Sequence, residues 1–181
     1  MKKNLVLAAL SLLVFAFAAS AQKATDFSGT WNLDLAKSTL NEREKASIES
    51  QTLTITQTAT DLKVETTTKR TAPPTGAPAG GPPGGGRGGM GSGDGTVTYT
   101  LDGKEVKSEI SNQMGSMQVS TKAKLEGGKL EITRSVTTPM GDRVSTEKWS
   151  LGADGTLSIA SQRPNRDGGM DTSTKVFAKK Q

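Results

Sequence analysis

The sequence contains no histidine and no cysteine among its 181 residues. These absences exclude a catalytic triad built on histidine, a cysteine nucleophile, disulfide bonds, and zinc sites made from either residue type. Aromatic residues are also scarce, at 4% of the chain, with one tyrosine, two tryptophans and four phenylalanines. Few large side chains are therefore available to line a pocket.

The first 21 residues have the three-part layout of an export signal. Two lysines precede an apolar run over residues 5–19, and Ala19-Ser20-Ala21 supplies the small residues that a signal peptidase requires. The run is shorter than the ~20 apolar residues of a membrane-spanning helix. We therefore predict a signal peptide at residues 1–21, a mature domain at residues 22–181, and a periplasmic or secreted location.

The charged residues do not indicate a nucleic-acid partner. The formal net charge is +5, but lysine and arginine are interspersed with acids along the chain. A nucleic-acid-binding face needs a clustered basic surface. No later stretch is long and apolar enough to span a bilayer, so we also expect no membrane span.

Apolar and polar residues alternate with a period of two along most of the remaining chain. This period is typical of half-buried strands, and the outward faces are rich in Thr, Lys and Glu. The clearest runs lie at residues 51–57 and 130–136. Along residues 144–151 the apolar positions change parity between Val144 and Trp149, which predicts a bulge. The pattern predicts about 8–10 short strands.

Short turns between the strands favour an antiparallel up-and-down meander, since parallel strands need long crossovers. Asp102-Gly103, Gly127-Gly128 and Asp154-Gly155 are the strongest turn signals, and Asp102-Gly103 predicts a type I′ hairpin. Only residues 36–48 favour a short helix, for which Ser38 is a candidate cap. We predict an all-β fold in which the meander closes into a barrel and removes its edges, with a two-sheet sandwich as the alternative.

Residues 72–95 hold 11 of the 21 glycines and 5 of the 7 prolines. Such a composition buries too little apolar surface to offset its ordering entropy, so we predict a disordered loop between two strands. Within it, Gly86–Gly91 fits the pattern G-x-G-x-x-G. A dinucleotide site needs a strand before that pattern and a helix after it, and neither is predicted here.

No spacing selects a catalytic or metal-binding group. The glutamates of the strands lie mostly opposite the apolar face, where a solvated carboxylate is poorly suited to acid–base work. The turn at Asn165–Asp171 carries three oxygen-bearing side chains but lacks the bidentate glutamate of a calcium loop. We therefore predict that the protein is not an enzyme and has no catalytic residue, metal site or cofactor.

Arg134 is the most informative polar residue because it shares parity with Leu130, Ile132 and Val136. It should therefore point into the barrel. A buried cation is costly unless it is paired. Its partner could be an anionic group of a ligand, an acid of the core, or backbone carbonyls near one end of the barrel.

The segment Gly29-Thr30-Trp31 matches the G-x-W hallmark of the first strand of calycins, the superfamily of lipocalins, fatty-acid-binding proteins and avidin. The chain also resembles secreted bacterial lipocalin-like domains that carry D-G-K and G-G-K-L hairpins, matched here by Asp102-Gly103-Lys104 and Gly127-Gly128-Lys129-Leu130. The resemblance covers most of residues 26–179 apart from the Gly/Pro-rich loop. It implies a lipocalin-like barrel whose base is plugged by Trp31.

The ending Lys175-Val176-Phe177 lies where fatty-acid-binding proteins often have Arg-x-Tyr, which clamps a carboxylate. In this chain lysine replaces the bidentate arginine fork, and phenylalanine removes the hydroxyl.

The resemblance implies that the barrel binds a small apolar or amphipathic molecule, since the mouth of such a barrel is a common ligand site. We predict Arg134, Tyr99 and Trp149 as ligand-binding residues of the cavity and assign Trp31 to the structure. The alternative is an envelope-associated interaction or structural module with a solid barrel and no ligand. The scarcity of aromatic residues favours this alternative.

Overall fold

The computed structural model describes residues 25–71, 94–112, 115–138, 141–165 and 167–180. The predicted signal peptide at residues 1–21 lies outside them. So do residues 72–93 of the predicted Gly/Pro-rich loop, including the G-x-G-x-x-G match. The last two residues of that predicted loop are described, and Gly95 begins a strand.

Ten strands and one short helix form in this part of the chain. Their bounds are β1 Gly29–Thr39, α1 Glu42–Ser47, β2 Ile48–Gln57, β3 Asp61–Arg70, β4 Gly95–Thr100, β5 Asp102–Asn112, β6 Gly115–Glu126, β7 Lys129–Thr138, β8 Gly141–Leu151, β9 Leu157–Pro164 and β10 Met170–Lys179. The predicted all-β class is confirmed. None of the described residues belongs to a helix with the length and apolar character needed to cross a membrane.

All ten strands belong to one antiparallel sheet in the order β4-β3-β2-β1-β10-β9-β8-β7-β6-β5. Because β1 pairs with β10, the two ends of the meander join and the sheet curls into a barrel. This confirms the predicted barrel rather than the sandwich. The barrel is nearly closed, since β4 and β5 are the two edges of the sheet and do not pair with each other.

The predicted hairpin at Asp102-Gly103 is wrong. Leu101 forms the turn and is buried in the core, and the chain then enters β5 without pairing β5 to β4. Gly103 has a φ of +75°, and the β5–β6 register shifts between Asp102 and Glu105. The Asp-Gly signal therefore belongs to a bulge, which uses the same left-handed glycine conformation as a type I′ turn.

The two other predicted turns are confirmed. Gly127 and Gly128 both have positive φ, at +57° and +79°, as the tight turn from β6 to β7 requires. Asp154-Gly155 lies between β8 and β9.

The bulge predicted in residues 144–151 is wrong. Strand β8 keeps a regular register with both β7 and β9. Val144 faces outward and is 45% exposed, whereas Trp149 faces inward and is 3% exposed. An exposed apolar residue on the outer face therefore produced the change of parity.

The predicted helix forms over a shorter range and with a different cap. Asn41 is the N-cap, and its side-chain oxygen accepts a hydrogen bond from the backbone nitrogen of Glu44 at 2.8 Å. Ser38 is wrong as the cap because it lies in β1. Its hydroxyl donates to the backbone carbonyl of Asp34 and accepts from the backbone nitrogen of Val176, where the β1–β10 register shifts.

One end of the barrel, which we call the base, is the end that holds the β2–β3, β6–β7 and β8–β9 turns. It is filled by buried apolar residues, which we call the base cluster: Phe27, Trp31, Ile55, Leu62, Leu101, Ala123, Leu130, Ile132 and Leu157. The indole nitrogen of Trp31 donates to the backbone carbonyl of Phe27 at 2.9 Å. The Phe27 ring meets Trp149 edge to face, with centroids 6.1 Å apart. Trp31 therefore plugs the base, as the resemblance implied.

We expect Phe27→Ala to lower the free energy of unfolding by about 3–5 kcal/mol, because it removes a fully buried ring and leaves a cavity beside two indoles. Urea denaturation followed by tryptophan fluorescence measures the loss. Val144→Ala, on the outer face, is the control and should change the same free energy by about 0.5 kcal/mol or less. Equal losses in the two variants would contradict the assignment of Phe27 to the base cluster.

Candidate functional site

A cavity of about 430 Å³ lies inside the barrel, beyond the base cluster. Residues of nine strands, β2 to β10, form its wall, and these include both edge strands, β4 and β5. Its apolar lining consists of Leu53, Val64, Val97, Ile110, Met117, Trp149, Ile159 and Phe177. Its charged and phenolic lining consists of Asp94, Tyr99, Arg134, Glu147, Arg163 and Lys175. The interior is therefore solid at the base and hollow above it.

A second, smaller cavity of about 170 Å³ lies at the gap between β4 and β5. Residues of β4, β5, β6 and β7 line it, including the hydroxyl-bearing Ser108 and Thr121. Tyr99 and Arg134 line both cavities. These two residues therefore mark the place where the main cavity meets the gap in the sheet.

The structure places all three residues of the predicted site, Arg134, Tyr99 and Trp149, on the wall of the main cavity. Trp149 also packs against the base cluster, so it belongs to both the core and the cavity. Trp31 is 1% exposed and is absent from the cavity wall, in agreement with its structural assignment.

Arg134 points inward, as its parity with the apolar positions of β7 predicted. Its Nε atom is buried and has no hydrogen-bond partner within the described part of the chain. None of the ion pairs found among those residues includes Arg134. Arg134 therefore brings a cation and an unused donor to the cavity.

Tyr99 lies in the electrostatic field of two charged neighbours. Burial, with a smaller contribution from the Glu147 carboxylate, raises the pKa of Tyr99 to about 12 against the opposing effect of the Arg134 cation. The phenol therefore keeps its proton, and remains a hydrogen-bond donor, far above neutral pH.

Glu147 is a cavity residue that our sequence reasoning missed. Its carboxylate accepts a hydrogen bond from the indole nitrogen of Trp149 at 3.1 Å. The supposed bulge in β8 concealed its register. In the regular strand Glu147 is two residues before Trp149 and lies on the same face. The alternation along β8 therefore predicts that Glu147 points inward.

Lys175 was also missed as a cavity residue and is 8% exposed. Its ammonium lies 3.2 Å from Oε1 of Glu44 and donates to Oε1 of Gln51 at 3.3 Å. The amide of Gln51 in turn donates to the hydroxyl of Thr68 at 2.9 Å. Lys175 lies where fatty-acid-binding proteins often have the carboxylate clamp, and it is already paired with Glu44 of α1. This pair holds α1 against the barrel.

The turn at Asn165–Asp171 uses its oxygen atoms to build the turn itself. Oδ1 of Asn165 accepts from the backbone nitrogens of Asp167 and Gly169, and its amide donates to Asp171 at 3.2 Å. Across the described ranges there is no group of three or more acidic, histidine or cysteine side chains that could hold a metal ion.

Comparison with solved structures identifies the class of the fold. The fluorescent protein UnaG is 18% identical, with a TM-score of 0.51, and the match covers 85% of this chain and 97% of UnaG. Secretory abundant heat soluble protein 4 from Ramazzottius varieornatus is 10% identical, with a TM-score of 0.50 and coverage of 87% and 96%. The chain therefore shares its overall barrel fold with these two proteins. Neither a protein-family model nor a curated protein sequence matches it.

We expect the tyrosinate absorbance of the native protein to titrate with a midpoint near pH 12. Tyr99 is the single tyrosine of the chain, so the absorbance reports on this residue alone. Glu147→Gln should lower the midpoint, because it removes a charge that opposes ionisation.

The same titration in denaturant is the control and should have a midpoint near pH 10, the ordinary value for tyrosine. Because the native state holds this proton more tightly than the unfolded state, its contribution to the free energy of unfolding is complete below pH 10 and is lost as the pH rises to about 12. A native midpoint near 10 would contradict the burial of Tyr99.

Proposed function

We propose that the protein binds a small apolar or amphipathic molecule inside its barrel and catalyses no reaction on it. The observation that carries this proposal is the cavity of about 430 Å³. This volume lies within the range of roughly 300–1,000 Å³ typical of small-molecule sites, which combine mostly apolar walls with a few polar groups.

The two kinds of lining suit an amphipathic ligand. Leu53, Trp149 and Phe177 form part of an apolar wall that continues into the buried core. Arg134 and Tyr99 lie on the wall next to the gap between β4 and β5. A ligand could bury its apolar part against the first wall and place a polar group beside the second.

The cavity argues against the alternative of a solid barrel without a ligand. That alternative depended on the scarcity of aromatic residues. Phe27 and Trp31 pack in the base cluster and are absent from the cavity wall, so these two large side chains do not fill the upper part of the barrel. The same scarcity of large side chains leaves the interior of a barrel unfilled.

A binding role without catalysis is supported by the pairing of the acids near the cavity. Glu147 accepts a hydrogen bond from Trp149, Asp94 accepts from the backbone nitrogen of Thr68, and Glu44 pairs with Lys175. No free pair of carboxylates faces the cavity among the described residues. Export to the periplasm or the exterior is part of the proposal and rests on the signal-like residues 1–21.

We expect Ser161→Phe to weaken binding of the neutral dye N-phenyl-1-naphthylamine about tenfold or more, because the ring would occupy space that the dye needs. Ser161 is buried, on the cavity wall. Dye fluorescence at equilibrium measures the dissociation constant.

Ala160→Phe is the matched control, because Ala160 is the preceding residue and is exposed on the outer face. This variant should bind the dye as the unsubstituted protein does. If the unsubstituted protein does not bind the dye, or if both variants bind it equally well, the proposal that the interior is a ligand site is wrong.

A further inference from the structure

We propose that Arg134 and Tyr99 form an oxyanion-binding site in the wall of the barrel, at the gap between β4 and β5, and that this site holds the acidic group of the ligand. The inference rests on the proposed ligand-binding function and narrows the class of ligand to amphipathic molecules with a carboxylate, sulfonate or similar group. It also places that group at the side of the barrel rather than at β10.

Arg134 is a cation with an unused hydrogen-bond donor. An arginine side chain stays charged at any physiological pH and presents donors in a planar fork that matches an oxyanion. The buried Nε of Arg134 has no acceptor in the described ranges. A buried donor without an acceptor is costly. An oxyanion bound by the guanidinium would supply that acceptor.

The two acids on the cavity wall, Asp94 and Glu147, each accept a hydrogen bond from another residue of the barrel. Glu147, which is close enough to influence the pKa of Tyr99, accepts a hydrogen bond from the indole nitrogen of Trp149. Asp94 accepts from the backbone of β3 through Thr68. The ion pairs among the described residues include neither Arg134 nor Arg163, although both line the cavity. The same ion pairs include neither Asp94 nor Glu147, but each of these acids accepts a hydrogen bond, whereas Nε of Arg134 has no partner among the described residues.

Lys175 is not the primary anion site, because it is already paired. Its ammonium already contacts the carboxylate of Glu44 and the side-chain oxygen of Gln51. An oxyanion at that position would have to displace Glu44 or lie beside its negative charge. Phe177, the neighbour on the same face, offers no donor. The donors of Tyr99 and Arg134 lie on the other side of the wall, on β4 and β7, and the remaining unpaired cation, Arg163, lies on β9.

The gap between β4 and β5 contains the smaller of the two cavities. Tyr99 keeps its phenolic proton and lines both cavities together with Arg134. The smaller cavity, of about 170 Å³, also has the hydroxyl groups of Ser108 and Thr121 on its wall. It has room for an acidic group and for water. The apolar part of the same ligand would extend into the main cavity toward Trp149.

Two dyes with the same skeleton test the proposal on the purified chain. They are 1-anilinonaphthalene-8-sulfonate, which is an anion, and N-phenyl-1-naphthylamine, which lacks the sulfonate. We expect Arg134→Gln to weaken binding of the anionic dye about tenfold or more, because a charge-assisted hydrogen bond is lost, and to leave the neutral dye unchanged. Arg143→Gln is the matched control, since Arg143 is an exposed arginine of β8, and it should change neither dissociation constant.

Two further variants keep the test decisive if Arg134→Gln does not fold. Tyr99→Phe should weaken binding of the anionic dye alone, by a smaller factor, because it removes a single donor. Arg134→Lys should do the same, because it keeps the charge and loses the fork. Circular dichroism and the melting temperature establish that each variant is folded.

The possible failures are distinguishable. If the neutral dye does not bind the unsubstituted protein, the proposed function fails and the oxyanion site fails with it. Both dyes may bind while substitutions at Arg134 and Tyr99 leave the ratio of the two dissociation constants unchanged. In that case the oxyanion site is wrong and the ligand-binding function stands. If Lys175→Met removes the tighter binding of the anionic dye relative to the neutral dye, and Arg134→Gln does not, the acidic group binds at β10.

Discussion

The hydrogen bond from the indole of Trp31 to the backbone carbonyl of Phe27 is the contact on which the rest of the barrel depends. It fixes the segment before β1 across the base, so that the Phe27 ring is fully buried against Trp149. Two of the few large side chains of the protein, those of Phe27 and Trp31, therefore lie at the base of the barrel. The other inward-facing residues leave the opposite end of the barrel unfilled, and the cavity lies there.

The incomplete closure of the sheet is the second constraint. Strands β4 and β5 are neighbours in sequence and yet form opposite edges, because Leu101 is anchored in the core and the bulge at Gly103 turns β5 away. The barrel wall next to this gap carries the polar side chains of Arg134 and Tyr99. Lys175, on the opposite side of the barrel, is already paired with Glu44 of α1.

Much of the fold could be predicted because the period of two requires no knowledge of distant contacts. The parity of β7 was sufficient to direct Arg134 inward. Errors arose where one local signal serves two structures. Asp-Gly fits both a hairpin and a bulge, and Val144 fits both a buried position and an exposed one. The pairing of Lys175 with Glu44, and the cavity itself, depend on side chains from strands far apart in sequence, which no local pattern encodes.

The central claim is that the interior of this barrel is a site for a small amphipathic acid. Native mass spectrometry of the protein, isolated gently from the cells that produce it, tests this claim most directly. We expect one small molecule bound to each chain, seen as an additional mass. Organic solvent should release this molecule, and it should contain an acidic group. A protein that has only the mass of the bare chain, and that takes up no amphipathic acid when one is added, would contradict it.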